Sequence, residues 1–163
     1  MGHSISGFVA PQDALTAAAR DLPKARVCPL HLGYGFLPLT QDVASWDDPA
    51  AEYEYLDRLT APIAAWAVEQ SRQFPLAYIQ TDYHGGTGSQ CAAVWRDGTL
   101  RFGPVETVDE YQAMTPLLEG AINRAVRFLG VDRGQVRDEF EALGLNLYRD
   151  NEDWIEAAGR SAG

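Results

Sequence analysis

Hydrophobic and polar positions alternate most clearly between Phe74 and Pro104, where Leu76 to Tyr83, Gln90 to Arg96 and Thr99 to Gly103 read as strands. Asp97-Gly98, between the last two, signals a hairpin, because a two-residue type I′ turn needs positive φ at both positions. That turn pairs Arg96 with Thr99, Trp95 with Leu100 and Ala93 with Phe102. The register predicts a core face of Cys91, Ala93, Trp95, Leu100 and Phe102. Gln90, Ala92, Val94, Arg96, Thr99 and Arg101 fall on the other face.

Upstream, His3 to Ala10 alternates as a first strand, with Ile5 and Phe8 or Val9 inward. Pro11 fits the first turn of a helix that runs to about Asp21 on a face of Ala14, Leu15, Ala18 and Ala19, and Pro23 stops it. Arg26 to Pro29 and Tyr34 to Leu39 read as short strands around His31-Leu32-Gly33. Thr40 to Pro49 is a turn-rich surface loop, with Trp46 as a lid over the core. From about Ala50 to Arg72, Tyr53, Leu56, Leu59, Ile63, Trp66 and Gln70 recur at helical steps. Pro62 interrupts them, and two abutting helices, the second capped by Thr60, are favoured over one kinked helix.

The C-terminal third carries helix punctuation. Thr115 and Pro116 start a helix with a stripe of Leu118, Ile122, Ala125, Val126 and Leu129, and Gly130 ends it. A second helix, about Gln135 to Leu143, buries Val136, Phe140 and Leu143 and ends at Gly144. A last short helix begins at Asn151 and is anchored by Trp154 and Ile155. The expectation is a single α+β domain over residues 1–163. Its mostly antiparallel sheet, of about six strands in the order β-α-β-β-α-β-β-β, is covered by helices.

Composition narrows the function classes. Of the 163 residues, 46% are hydrophobic and 22% charged, which suits a packed domain and argues against disorder. No apolar run is long enough for a membrane span, and no basic-then-apolar leader opens the chain, so a soluble cytoplasmic protein is expected. The net charge of −10 disfavours nucleic-acid binding and suits solubility or a partner protein with a basic surface. Cys28 and Cys91 fit no zinc spacing and read as buried free thiols.

The candidate site is Asp82 to Gln90. Side chains two apart on a strand share a face, so Gln80, Asp82 and His84 project together. Asp82 could then orient the His84 imidazole, with Ser89 across the loop, for general-base or nucleophilic work. The same loop also serves as a plain connection, since Gly85, Gly86 and Gly88 suit a tight or bulged turn. It joins strand to strand and lacks a following Lys, so it is no phosphate loop. His3, His31 and His84 are scattered, and no metal or cofactor is expected.

Tyr34, Phe36, Trp46, Tyr53, Tyr55, Tyr78 and Tyr83 could supply a recognition surface or simply fill the core and sheet. The carboxylates Asp42, Asp47, Asp48, Glu52 and Glu54, with Tyr83 and His84, form the candidate partner-binding set. An acidic helix surface through Glu52, Glu54, Asp57 and Glu69 adjoins it, and a solvated helix face accounts for those charges equally well.

Two segments, TDYHGGTGSQCAAVW with its following Asp-Gly hairpin and INRAVRFLGV with DEFEALGL, resemble a group of small proteins of high-GC bacteria. Some proteins of that look are encoded as immunity proteins beside polymorphic toxins, and the resemblance implies toxin binding and brings no catalytic motif. The leading expectation is a non-enzymatic acidic binding protein, an immunity protein that neutralises a cognate toxin. The alternative is a small hydrolase or transferase using Asp82, His84 and Ser89. A structural subunit that pairs with itself is a third reading.

Overall fold

The computed structural model describes residues 2–84, 87–109 and 120–162. Strand Ser6–Pro11 (β1) runs into helix Gln12–Ala18 (α1) and a 3₁₀ turn at Ala19–Asp21. Cys28–Pro29 (β2) and Tyr34–Pro38 (β3) follow, then helix Ala61–Gln70 (α2). Three longer strands come next, Leu76–His84 (β4), Thr87–Arg96 (β5) and Thr99–Asp109 (β6). Helices Ala121–Phe128 (α3), Glu139–Leu143 (α4) and Asn151–Ala162 (α5) complete the described elements. The expected helix start at Thr115 and Pro116, with Leu118, lies outside the described residues, as do Gly85 and Gly86.

The strands form one antiparallel sheet in the order β2-β3-β1-β4-β5-β6. Helices pack on it, so the architecture is α+β with a six-stranded antiparallel sheet. Both faces are covered. On face one, Val9, Phe36, Ile79 and Val94 pack against Ile122 and Val126 of α3, Leu143 of α4 and Trp154 of α5. On face two, Phe8, Leu37, Tyr78 and Trp95 pack against Leu15 of α1 and Ile63 and Ala67 of α2. Strand interiors are therefore apolar at successive positions, as in Leu76-Ala77-Tyr78-Ile79, all fully buried.

Sheet side chains start α3. Gln90 Oε1 accepts from Ile122 N at 2.9 Å and Thr107 Oγ1 accepts from Ala121 N at 3.0 Å, satisfying donors that a helix leaves open. Asp138 caps α4 by accepting from Glu141 N at 2.9 Å, and Gly144 ends it at φ 83°. Asn123 ties the two helices, accepting from Phe140 N at 2.9 Å and donating to Asp138 Oδ2 at 3.3 Å.

Four expectations are corrected. The Asp97-Gly98 turn has the predicted positive φ values of 56° and 78°, and pairs Arg96 with Thr99 and Trp95 with Leu100. Beyond it, however, Phe102 faces Val94 and not Ala93, because β6 carries an extra residue between those pairs. The bulge turns Phe102 to face one, where the Arg124 guanidinium lies 5.2 Å from its ring centre, while Leu100 is left 36% exposed. The face opposite Cys91, Ala93 and Trp95 is packed as well, with Ala92 and Val94 buried in a second core.

The long helical region is also shorter than its periodicity suggests. Only α2 is helical, with Thr60 at its N-cap and Pro62 in its first turn. Residues 49–60 instead form a closed loop, in which Ala51 N donates to Leu59 O at 2.8 Å and Ala61 N to Pro49 O at 2.8 Å. Tyr55, at φ 70°, sits in a conformation that no α-helix accommodates. Leu56 and Leu59 are buried all the same, so loop anchors mimic a helical stripe, and Glu52, Glu54 and Asp57 stand on a loop.

The other two corrections concern Trp46 and Val136. Trp46 is 81% exposed and is no lid over the core, while Ala44, two residues earlier, is the buried residue of its loop segment. Val136 is 37% exposed, since α4 begins only after Asp138. Smaller shifts affect element ends: β1 starts at Ser6, Pro11 ends that strand and caps α1, and the second strand covers only Cys28–Pro29.

Gly7 lies in the middle of the sheet, opposite Pro38 and Ile79, and a Cβ there would sit 2.2 Å from Leu37 O and 2.7 Å from Phe36 Cε1. Gly7→Ala is expected to destabilise by about 2–3 kcal/mol in urea unfolding, the range of an overpacked core. Gly33→Ala meets no atom and costs only the left-handed conformation at φ 81°, about 1 kcal/mol.

Candidate functional site

Asp82, His84 and Ser89 gather where β4 turns into β5. His84 pairs with Thr87 and Asp82 with Ser89, so β4 and β5 run antiparallel up to both sides of Gly85 and Gly86. Alternation puts Gln80, Asp82 and His84 on face two. His84 Nε2 lies 2.5 Å from Asp82 Oδ1, and Arg58 Nη2 lies 3.5 Å from Asp82 Oδ2. The pair is open to water, with the His84 side chain 73% exposed. A serine activated by this histidine would need its free nitrogen, Nδ1. That side of the ring lies against Gly2, where a Cβ would be 3.4 Å from Nδ1. The arrangement sets an imidazole against a carboxylate, with Ser89 opposite Asp82 on the neighbouring strand.

Tyr83, next in the strand, points to the opposite face. Its hydroxyl accepts from Gln90 Nε2 at 3.0 Å, the same Gln90 that caps α3. Tyr83 and His84 therefore do not share one surface.

Beneath the hairpin, a polar chain on face two leads from the core to the 49–60 loop. Tyr78 Oη donates to Gln80 Oε1 at 2.7 Å, and Gln80 Nε2 donates to Asp57 Oδ1 at 2.8 Å. Burial pushes the Tyr78 phenol up and keeps it protonated as a donor. Arg58 donates to Ser4 Oγ at 2.9 Å and to the Thr81 carbonyl at 3.3 Å in addition to its contact with Asp82. Sequence reading passed over Arg58 as a site residue, although it is the single cation among the six carboxylates of residues 39–60.

Beside Arg58 opens a cleft of about 690 Å³ between the 40–60 loop and the start of α5. Its lining includes the buried polar residues Ser6, Thr60 and Asn151. Asp48 and Asp57 line it from the loop, Asp150 and Glu152 from the beginning of α5, and Trp46 is the large aromatic of the lining. Of the candidate partner-binding carboxylates, Asp48 lines this cleft, and Glu52 lines a shallower hollow beside Tyr53 and α2. Asp42, Asp47 and Glu54 are exposed on the same loop.

The two thiols are free and buried on opposite faces of the sheet. Burial raises Cys28 to about 12, and burial with the Glu106 and Asp57 carboxylates raises Cys91 to about 12. Both stay protonated near neutral pH and are poor nucleophiles. Among the described residues, no three His, Cys, Asp or Glu side chains gather as a metal site requires.

His3 contrasts with His84. Its Nδ1 hydrogen-bonds Thr81 Oγ1 at 2.7 Å, its ring meets Phe140 edge-on at 5.7 Å, and burial lowers its pKa from the ordinary 6.5. The unfolded chain therefore takes up this proton first as pH falls. The contribution of His3 to stability is complete above 6.5 and is lost as pH falls towards the lower folded value. His3→Gln is expected to lose less stability than the wild type between about pH 7.5 and 5, read by urea unfolding at each pH.

Comparison with known proteins found no matching family model, no matching curated protein and no matching solved structure.

Proposed function

We propose that the chain is a non-enzymatic acidic binding protein whose partner presents a basic surface, and that it serves as an immunity protein occluding a cognate bacterial toxin. The observation that carries this reading is the 39–60 segment, which holds six carboxylates and one arginine. That arginine is engaged internally by Ser4, the Thr81 carbonyl and Asp82. The segment thus offers a concentrated negative surface, with Asp42, Asp47, Asp48, Glu52, Glu54 and Asp57 all exposed. Such a surface speeds encounter with a basic partner and disfavours acidic ones. The two unpaired thiols suit a reducing cytoplasmic setting, and among the described residues no helix is long and apolar enough to cross a membrane.

The test is association with the toxin encoded beside the gene, followed by surface plasmon resonance at several salt concentrations. Changing Asp42, Asp47 and Asp48 to Asn and Glu52 and Glu54 to Gln is expected to slow association about tenfold or more at low salt and to flatten its salt dependence. An unchanged rate and salt slope, or the absence of toxin binding, overturns the reading.

The close Asp82–His84 contact favours a second reading, a small hydrolase or transferase. Hydrolysis of ester or phosphoester substrates that disappears in His84→Ala, with the fold intact by circular dichroism, would assign the hairpin mouth this role. Activity that survives the substitution removes it.

A further inference from the structure

The cleft beside Arg58 combines features that a solvated acidic patch does not need. Thr60 lines it and is only 7% exposed, yet its hydroxyl has no hydrogen-bond partner among the described residues. Thr60 stands at the N-cap of α2, but its side chain makes no capping bond, so the hydroxyl does no local work for the helix. A buried, unpartnered hydroxyl costs the fold stability, and here it borders an open cavity that could deliver a partner to it. The neighbouring Ser6 and Asn151 are buried and bonded to each other, with Asn151 Oδ1 accepting from Ser6 N at 3.0 Å, so this side of the cleft is rigid.

The rest of the lining selects the charge of the occupant. Asp48, Asp57, Asp150 and Glu152 bring four carboxylates to the cleft, against the single guanidinium of Arg58. Asp57 accepts from Gln80 Nε2 through Oδ1, which holds this carboxylate in place at the edge of the cleft. The N-terminus of α5 points its partial positive charge at the same place, which taken alone favours an anion. Asp150 already answers it, accepting from Asp153 N at 2.8 Å, and Glu152 stands in the first turn. An incoming anion would find one cation already engaged and four repelling carboxylates.

Trp46 selects the shape. It is 81% exposed and lines the cleft, offering a flat indole to a flat cation. A guanidinium stacks on such a face and presents its N–H fork edgewise to carboxylates, which a compact ammonium cannot do. We propose that this cleft is a receptor for a guanidinium group, the side chain of an arginine presented by a partner protein. The inference deepens the basic-partner reading and rests on it for the source of the arginine. The volume accommodates an arginine together with the backbone that carries it.

The experiment is calorimetric titration of the full chain, at low ionic strength, with N-acetyl-L-arginine methylamide, its lysine counterpart and inorganic phosphate. The arginine derivative is expected to bind more tightly than the lysine one, and phosphate not to bind. Trp46→Ala, Asp48→Asn and Glu152→Gln should each weaken arginine binding about tenfold. Asp13→Asn, an exposed carboxylate on α1, should leave it unchanged.

Thr60→Val separates ligand binding from folding. Removing the unpartnered hydroxyl is expected to raise the melting temperature of the free protein while weakening the arginine complex. No saturable binding, equal binding by the cleft variants, or binding of phosphate in place of the cation overturns the receptor. A toxin bound at full strength by the cleft variants overturns the cleft as its contact and leaves the immunity reading standing. Arginine bound in the cleft, with no toxin bound by the protein, supports the receptor and overturns the immunity reading.

Discussion

The side chain of Asn151 completes the sheet where the backbone cannot. Leu39 is the last residue to follow β3 alongside β1, donating from its N–H to Ser6 O at 2.9 Å. The Ser6 N–H on that side then has no strand to bond. Asn151 Oδ1 accepts it at 3.0 Å, and Asn151 Nδ2 donates to Ser6 O at 3.1 Å and to Leu39 O at 3.2 Å. A side-chain amide carries one acceptor and a donor pair, so it can stand in for a peptide group. Aspartate would lack the donor and leucine both functions, leaving buried backbone groups unsatisfied at about 1–3 kcal/mol each.

Much else hangs on that anchor. Asn151 begins α5, so the contact fixes the helix against the middle of the sheet. Trp154, one turn on, meets Phe36 at 5.6 Å and Tyr148 at 4.7 Å between ring centres, and its carbonyl accepts from Cys28 Sγ at 3.4 Å. The same bond network forms one side of the cleft, since Ser6, Leu39 and Asn151 all line it. Asp150 and Glu152, next to Asn151 in the chain, are brought to face Asp48 and Asp57 by this docking.

Local chemistry was legible in the sequence, and long-range placement was not. Asp97-Gly98 announces its turn because few residues tolerate positive φ, and Gly130 and Gly144 mark helix ends for the same reason, at φ 101° and 83°. The Asp82–His84 contact follows from a spacing of two on a strand. The stripe from Tyr53 to Leu59 misled because hydrophobic loop anchors can fall at helical steps, and a periodicity does not reveal the positive φ at Tyr55. Face assignments failed at Phe102 because a bulge adds one residue without leaving a sequence mark as plain as Asp-Gly. The cleft was invisible. Its parts come from the start of β1, the 40–60 loop and the start of α5, and they are brought together by the Arg58 bonds to Ser4 and Thr81 and by the docking of α5.

Burial on both faces alters what holds the strands in register. In a sheet with one wet face, a slip of one residue throws the core into water and is punished by hydration alone. Here a slip of β4 would exchange Ala77 and Ile79 for Tyr78, trading one dry environment for another. The penalty is then one of size: Gly7 admits no side chain beside Leu37 and Phe36, and Trp95 packs against the rings of Phe8 and Tyr53 on its own face. Pairing fidelity falls to volume matching and to the Asp97-Gly98 turn, whose backbone is pinned by Asp97 N to Ser71 O at 2.7 Å and Gly98 N to Ser71 Oγ at 2.9 Å. Ser71 thus acts as a ratchet pawl, holding the hairpin at one tooth of a sheet that hydrophobicity alone would let slide.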